Sequence, residues 1–140
     1  MSAQYKDHLC SVAEFMKAMR QRVGQGWDDA EGICLGLNLI AEEYGELEDA
    51  CHDLLSAGQD MPRREAVAKE LTDLLYVAYW LSARIGIDID AAFREVHKSN
   101  MSKRGPDGKA LIREDGKVMK GPNYVPPDLS YIVKSVPVSL

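Results

Sequence analysis

The stretch that most limits what this chain can fold into is residues 71–83, which read LTDLLYVAYWLSA and contain Asp73 as their only charged residue. The helical pattern around it starts at Pro62, which suits a first turn, and continues to Arg84 before Gly86 stops it. A helix that is apolar on more than one side has to be buried among other helices or between subunits. A carboxylate in the middle of it then needs a partner.

Three further segments carry apolar residues at helical spacing. Gly24 and Gly26 interrupt the first of them, and aspartates can cap the other two. We therefore predict an all-α fold with four helices, the remaining three covering residues 3–22, about 28–56 and about 88–102. The candidate caps are Asp28 or Asp29 for the second helix and Asp88 or Asp90 for the fourth.

The sequence changes character after Lys103. Residues 109–120 predict two short strands around Asp115-Gly116, a dipeptide that suits the positive φ angles of a hairpin turn. The tail that follows cannot be helical throughout, because it contains Pro122, Pro126, Pro127 and Pro137. We predict a helical domain over residues 1–104 and a C-terminal arm over residues 105–140.

The overall charge argues against one class of partner. The 140 residues carry a formal net charge of −5, so the chain lacks the basic field that duplex nucleic acid requires. No apolar run reaches the roughly 18 residues of a membrane span, and the first residues lack the pattern of a secretory signal. We expect a cytoplasmic protein that binds neither duplex nucleic acid nor a membrane.

Acidic residues continue an apolar stripe of the second helix. At about 100° per residue, Glu42, Glu43 and Glu46 fall within one arc of the helix. Leu35 and Leu39 lie on the same arc, one and two turns upstream. A second apolar band occupies the other side, so we expect burial on both sides; it comprises Ile33, Leu37, Ile40, Tyr44, Leu47, Cys51 and Leu54.

The third helix places Glu70 and Asp73 one turn apart, also toward the expected core. Unpaired buried carboxylates cost several kcal/mol each unless a cation or hydrogen bonds compensate. An all-carboxylate cluster without histidine or thiolate favours Mg²⁺, Mn²⁺ or Ca²⁺ over zinc or copper. Di-iron bundle proteins also hold acids between helices, but they use Glu-x-x-His pairs, which this ExxD spacing lacks.

Each motif also has an ordinary structural explanation. An EExxE string by itself is usually a solvated helix face. Asp73 by itself could be a hydrogen-bonded core acid, and the two motifs together favour a metal site over both explanations. Asn38 lies one turn before Glu42 and can bind a base, a sugar or a ligand carboxylate, with a satisfied core amide as the alternative.

The ordered motifs resemble a known family. EEYGE at 42–46 and ELTD at 70–73 are similar to the EExxE and ExxD signature of the all-α nucleotide pyrophosphohydrolases, which include MazG, HisE and the dimeric dUTPases. The segments GIDIDAAFREVHKSNMSKR at 86–104 and DGKVMKGPNYVPPDL at 115–129 resemble the C-terminal half of short MazG-like and HisE-like members, including a MazG-like dUTP diphosphatase. The resemblance covers roughly residues 30–130.

This resemblance implies a four-helix MazG-like bundle that assembles as a homodimer or a dimer of dimers, with a C-terminal hairpin or extended arm. It implies that Glu42 helps to activate water and that Mg²⁺, or alternatively Mn²⁺, is the cofactor. The implied metal ligands are Glu43, Glu46, Glu70 and Asp73. The residues expected to contact the nucleotide are Asn100 and Lys103 at the end of the fourth helix, and Lys117, Lys120 and Tyr124 in the arm.

The expected activity is a magnesium-dependent pyrophosphohydrolase that converts a nucleoside triphosphate or deoxynucleoside triphosphate, with dUTP and dCTP as candidates, to the monophosphate and pyrophosphate. Two alternatives stay open. One is a HisE-like phosphoribosyl-ATP pyrophosphohydrolase, which shares the fold and the metal motif. The other is a non-catalytic bundle that binds metal or nucleotide without turnover.

Overall fold

The computed structural model describes residues 7–134 and residue 140, and this part of the chain is all-α. The predicted all-α class is confirmed. The predicted start of the first helix at residue 3 lies outside the described residues, and so does Pro137 of the predicted tail. No helix in the described ranges is long and apolar enough to cross a membrane. The helices are α1 (His8–Ala18), α2 (Ala30–Ala57), α3 (Met61–Ile85), α4 (Ile89–Met101) and a short α5 (Ser130–Val133), which the sequence did not predict.

The two predicted strands of the arm are wrong. Across residues 7–134 no strand forms, and the hairpin is reduced to one antiparallel bridge between Ile112 and Val118. The turn itself is as expected, since Gly116 has a φ of 85° and its N–H donates to the carbonyl of Arg113 at 2.8 Å. All of residues 109–120 are exposed, and a two-stranded hairpin without a covered apolar face is marginal in water.

The described residues form two compact units. One contains α1, α2, α3 and Leu140, and the other contains α4, the arm and α5. The predicted domain boundary at residue 104 falls inside the second unit, and the division into two domains stays a prediction.

Each of the four longer helices begins at an aspartate whose side chain accepts a backbone N–H three residues further on. The structure decides between the candidates, with Asp29 and Asp88 as the caps of α2 and α4. The four bonds run to Asp7 from Cys10 at 2.8 Å, to Asp29 from Gly32 at 3.1 Å, to Asp60 from Arg63 at 3.1 Å, and to Asp88 from Ala91 at 2.9 Å.

The core of the first unit forms where α3 packs against α1 and α2. Gly36 lets α2 approach closely, because a Cβ there would lie 2.7 Å from Cδ1 of Leu81. The indole N–H of Trp80 donates to Gln21 at 2.8 Å, so the buried ring keeps its polar atom satisfied. The buried cluster comprises Leu9, Val12, Ala13 and Met16 of α1 with Trp80 and Ala83 of α3.

The loop before α2 closes the C-terminal end of α3. The last carbonyls of a helix have no partner within it, and here backbone N–H groups of the loop supply three partners. Gly24 and Gly26 adopt positive φ angles of 64° and 88°, which glycine adopts without a Cβ clash. The bonds run from Gly24, Gln25 and Gly26 to the carbonyls of Ala83, Arg84 and Ile85 at 2.8, 2.8 and 2.9 Å.

A nearly buried ion pair joins the same two regions. The guanidinium of Arg84 donates through Nε and Nη2 to the carboxylate of Asp29, and the two side chains are only 7% and 12% exposed. The bond from Arg84 holds the pKa of the Asp29 carboxyl below its ordinary 3.8. The start of α2 and the end of α3 are thus fastened together across 55 positions of sequence.

This lowered pKa predicts an acid-sensitive contribution to stability. Asp29 binds a proton more readily in the unfolded chain than in the folded protein, so the ion pair stabilises the fold at pH values above the ordinary pKa of 3.8. This stabilisation is lost as the pH falls through the lower pKa that Asp29 has in the folded protein. Asp29→Asn should therefore be less stable than wild type at pH 7 and pH 5, and the difference should shrink below about pH 4. Urea unfolding at several pH values in this range measures the difference in free energy of unfolding between the variant and wild type. A difference that does not change with pH would contradict the prediction.

In the second unit, hydrogen bonds fasten the arm to the C-terminal half of α4. The hydroxyl of Ser99 donates to the carbonyl of Val125 at 2.7 Å, and the N–H of Val125 donates to the hydroxyl of Ser102 at 2.9 Å. The N–H of Gly121 donates to the carbonyl of Lys103 at 3.1 Å. These contacts hold the arm against the C-terminal end of α4, where Asn100 lies, and against Lys103, which follows the helix.

Candidate metal centre

The four acids predicted to bind metal lie on α2 and α3, in the same compact unit. Helical spacing puts Glu43 and Glu46 on one side of α2, and it puts Glu70 and Asp73 one turn apart on α3. Because α2 and α3 pack against each other, the two pairs come together. No local feature of the sequence specifies this meeting, which depends on how the two helices are aligned.

Three of the carboxylates are close enough to share one ion. One oxygen from each of Glu43, Glu46 and Glu70 lies within 4.8 Å of the other two. Oxygens that bind a single Mg²⁺ at about 2.1 Å lie at most about 4.2 Å apart, so movements of less than about 1 Å would complete the set. The all-oxygen donor set suits a hard divalent cation.

Two of these carboxylates have a buried oxygen without a partner. Oε2 of Glu43 and Oε2 of Glu70 are inaccessible to solvent and accept no hydrogen bond from the residues described. A buried acceptor left without a partner costs about 1–3 kcal/mol, and more when it is charged. A cation between the helices would remove this cost at both oxygens.

The pKa values of the clustered carboxyls show that these acids repel one another. Burial raises the pKa of the Glu43 carboxyl above its ordinary 4.5, and the nearby charges of Asp73 and Glu70 raise it further. The pKa of Glu46 is also raised, chiefly by hydrogen bonding with Glu70 and then by the charges of Glu43 and Glu70. Binding of protons or of a cation would each relieve this repulsion.

Asp73 differs from the other three. It does not belong to the group of oxygens within 4.8 Å, and its Oδ2 accepts a hydrogen bond from Nζ of Lys69 at 2.7 Å. The same ammonium also donates to Oε1 of Glu70 at 3.1 Å. Sequence reasoning missed Lys69, although its position one turn before Asp73 was a usable signal, since side chains four apart on a helix meet.

The residues predicted to act on water and on the substrate are distributed over both units. Glu42 and Asn38 are exposed on α2 in the single chain, where Asn38 therefore does not lie in the core. The others lie in the second unit. There Nζ of Lys120 lies 4.7 Å from the centre of the Tyr124 ring, and Asn100 is exposed near the end of α4. The carbonyl of Lys103 accepts a hydrogen bond from the backbone N–H of Gly121 in the arm, and the carbonyl of Lys117 accepts one from the N–H of Arg113 across the turn.

Comparison with known proteins gives one result. A family model described as phosphoribosyl-ATP pyrophosphohydrolase matches residues 12–100, which is more than half of the chain. The matched range includes all four carboxylates and Lys69 and ends before the arm. No curated protein matches the sequence.

Proposed function

The chain belongs to the phosphoribosyl-ATP pyrophosphohydrolase family and is a nucleotide pyrophosphohydrolase, and we propose that its active site is a metal centre between α2 and α3. The bond cleaved there would be the phosphoanhydride between the α- and β-phosphates of a nucleoside triphosphate group. The observation that carries this proposal is the pair of buried, unpartnered oxygens of Glu43 and Glu70, with Glu46 close enough to complete a ligand set. A solvated acidic face would leave no such oxygens.

We propose Mg²⁺ as the cofactor, with Mn²⁺ as a substitute, because every candidate donor is a carboxylate oxygen. Glu43, Glu46 and Glu70 would hold it, and Asp73 would join them once released from Lys69. When bound, the metal would supply neutralisation of the charge on the phosphate oxygens.

The remaining roles fall to side chains of the chain itself. Glu42 is exposed on the helix that carries Glu43 and Glu46, so it can accept a proton from an attacking water. Lys103, Lys117 and Lys120 offer cationic groups for the phosphates in the unit of the arm. No P-loop precedes a helix, so in this proposal the metal, and not a glycine-rich loop, holds the triphosphate.

Two substrate classes fit this site. The family match favours phosphoribosyl-ATP, which carries a triphosphate chain. The arm lies beyond the matched range, and its sequence, DGKVMKGPNYVPPDL at 115–129, resembles short MazG-like members that act on nucleotides such as dUTP. A canonical nucleoside or deoxynucleoside triphosphate is therefore the second candidate.

We also propose that the chain works as a homodimer or a dimer of dimers. The second apolar band of α2 is poorly covered in a single chain, with Leu37 and Tyr44 each 56% exposed. Leu71 of α3 is exposed to the same extent. Contact with a second copy of the chain would cover these side chains, and contiguous exposed apolar patches mark such interfaces. The cytoplasmic location expected from the sequence also stays a proposal.

The test is a panel of phosphoribosyl-ATP, the four canonical nucleoside triphosphates and the deoxynucleotides including dUTP, each with Mg²⁺ and with a chelator. We expect one class to yield monophosphate and pyrophosphate, and chelation to stop the reaction. In ¹⁸O-labelled water the label should enter the monophosphate, because attack at the α-phosphorus makes pyrophosphate the leaving group.

Orthophosphate as the main product, or label in pyrophosphate, would contradict cleavage at the α–β bond. Metal binding without turnover of any member of the panel would favour the non-catalytic bundle instead.

A further inference from the structure

Lys69 is the residue at the acidic cluster that the proposed reaction leaves without a role. Its ammonium donates to Oδ2 of Asp73 at 2.7 Å and to Oε1 of Glu70 at 3.1 Å, so one cation contacts two of the four acids. These contacts raise the pKa of the Lys69 ammonium above its ordinary 10.5, the hydrogen bond to Asp73 being the largest cause.

The position of Lys69 lets it leave the cluster at little cost. Its side chain is 64% exposed, whereas those of Glu70 and Asp73 are 15% and 37% exposed. The ammonium therefore reaches the acids from the solvent side along a flexible stem. It can turn into water without opening the packing between α2 and α3.

The ammonium and a divalent ion would use the same two carboxylates, although Lys69 donates to Oε1 of Glu70 and the unpartnered oxygen of Glu70 is Oε2. With Lys69 in place, Asp73 lies outside the set of carboxylates that could share an ion, and Oε1 of Glu70 is already bonded. Two cations on one carboxylate pair repel each other strongly at such short separations. Binding of the metal through Oδ2 of Asp73, beside Glu70, therefore requires the ammonium to move away.

We propose that Lys69 is a built-in competitor of the metal: it neutralises Glu70 and Asp73 in the metal-free protein and is displaced when a divalent cation binds. The inference rests on the proposed metal centre and adds a residue that sets its affinity. In the metal-free state the ammonium lowers the repulsion between the like-charged acids of α2 and α3. It thereby stabilises the empty site and raises the metal concentration needed to fill it.

The test compares Mn²⁺ binding by titration calorimetry in wild type, Lys69→Met and Arg64→Met. Arg64 is an exposed cation of α3 five positions earlier, about 140° away around the helix, so its variant removes the same charge without removing the contact. We expect Lys69→Met to bind Mn²⁺ about two- to fivefold more tightly than wild type, the range that a largely exposed ion pair supports. Arg64→Met should change the affinity less than about twofold.

Thermal unfolding with and without Mn²⁺ gives a second measurement that does not depend on activity. Lys69→Met should melt below wild type when free of metal, and saturating Mn²⁺ should raise its melting temperature more than that of wild type. Equal Mn²⁺ affinity in Lys69→Met and wild type, or an equal gain in Arg64→Met, would overturn this inference and leave the metal centre intact. Failure of wild type to bind Mn²⁺ would overturn the metal centre and the inference together.

Discussion

Glu70→Gln and Asp73→Asn should each lower kcat by about a hundredfold or more, because each removes a charge that the proposed metal centre uses in the transition state. Glu70 has an oxygen that is buried and unpartnered, so its loss affects the site directly. Asp73 acts through its charge beside Glu43 and as the oxygen that Lys69 occupies in the metal-free protein. Steady-state kinetics at saturating Mg²⁺ measures both variants.

The fold should survive these changes. Removing one charge from a cluster of acids relieves repulsion, so the metal-free variants should melt at or above the temperature of wild type. Glu65→Gln is the matched control, since it removes one carboxylate from an exposed position of the same helix and should retain full activity. Wild-type turnover in both Glu70→Gln and Asp73→Asn would show that the acids of α3 have no part in the chemistry.

Gly32→Ala should destabilise the protein by about 1–3 kcal/mol, the usual cost of overpacking a tight site. Gly32 is buried in the first turn of α2, and a Cβ there would overlap the carboxylate of Asp29 and Nε of Arg84. The substitution therefore has to displace both partners of the ion pair that holds α2 to α3. Urea unfolding should show a lower midpoint with an unchanged slope.

Gly45→Ala provides the control for this prediction. It makes the same change in the same helix, but its Cβ would meet nothing within 4 Å. Alanine loses less chain entropy than glycine on entering a helix, so this variant should be neutral or more stable by up to about 1 kcal/mol. If both variants unfolded at the wild-type midpoint, the close packing at Gly32 would carry none of the stability assigned to it.

The four longer helices could be predicted because their causes are local. Asp60 and Pro62 specify the start of α3, and Gly86 specifies its end by adopting a φ of 92° that other residues rarely adopt. The hairpin could not be predicted in the same way. Its turn chemistry at Gly116 is local and correct, but the strands depend on a covering surface that residues 109–120 do not have.

In the candidate site, too, local geometry could be predicted from the sequence and contacts between helices could not. The sequence by itself determined that Glu43 and Glu46 share one side of α2 and that Glu70 and Asp73 share one side of α3, because helical geometry fixes the direction of side chains three apart. Only the tertiary structure decided that Glu46 faces Glu70 and that Asp29 instead of Asp28 meets Arg84. These contacts depend on the alignment of two packed helices, which the spacing of residues along the chain does not encode.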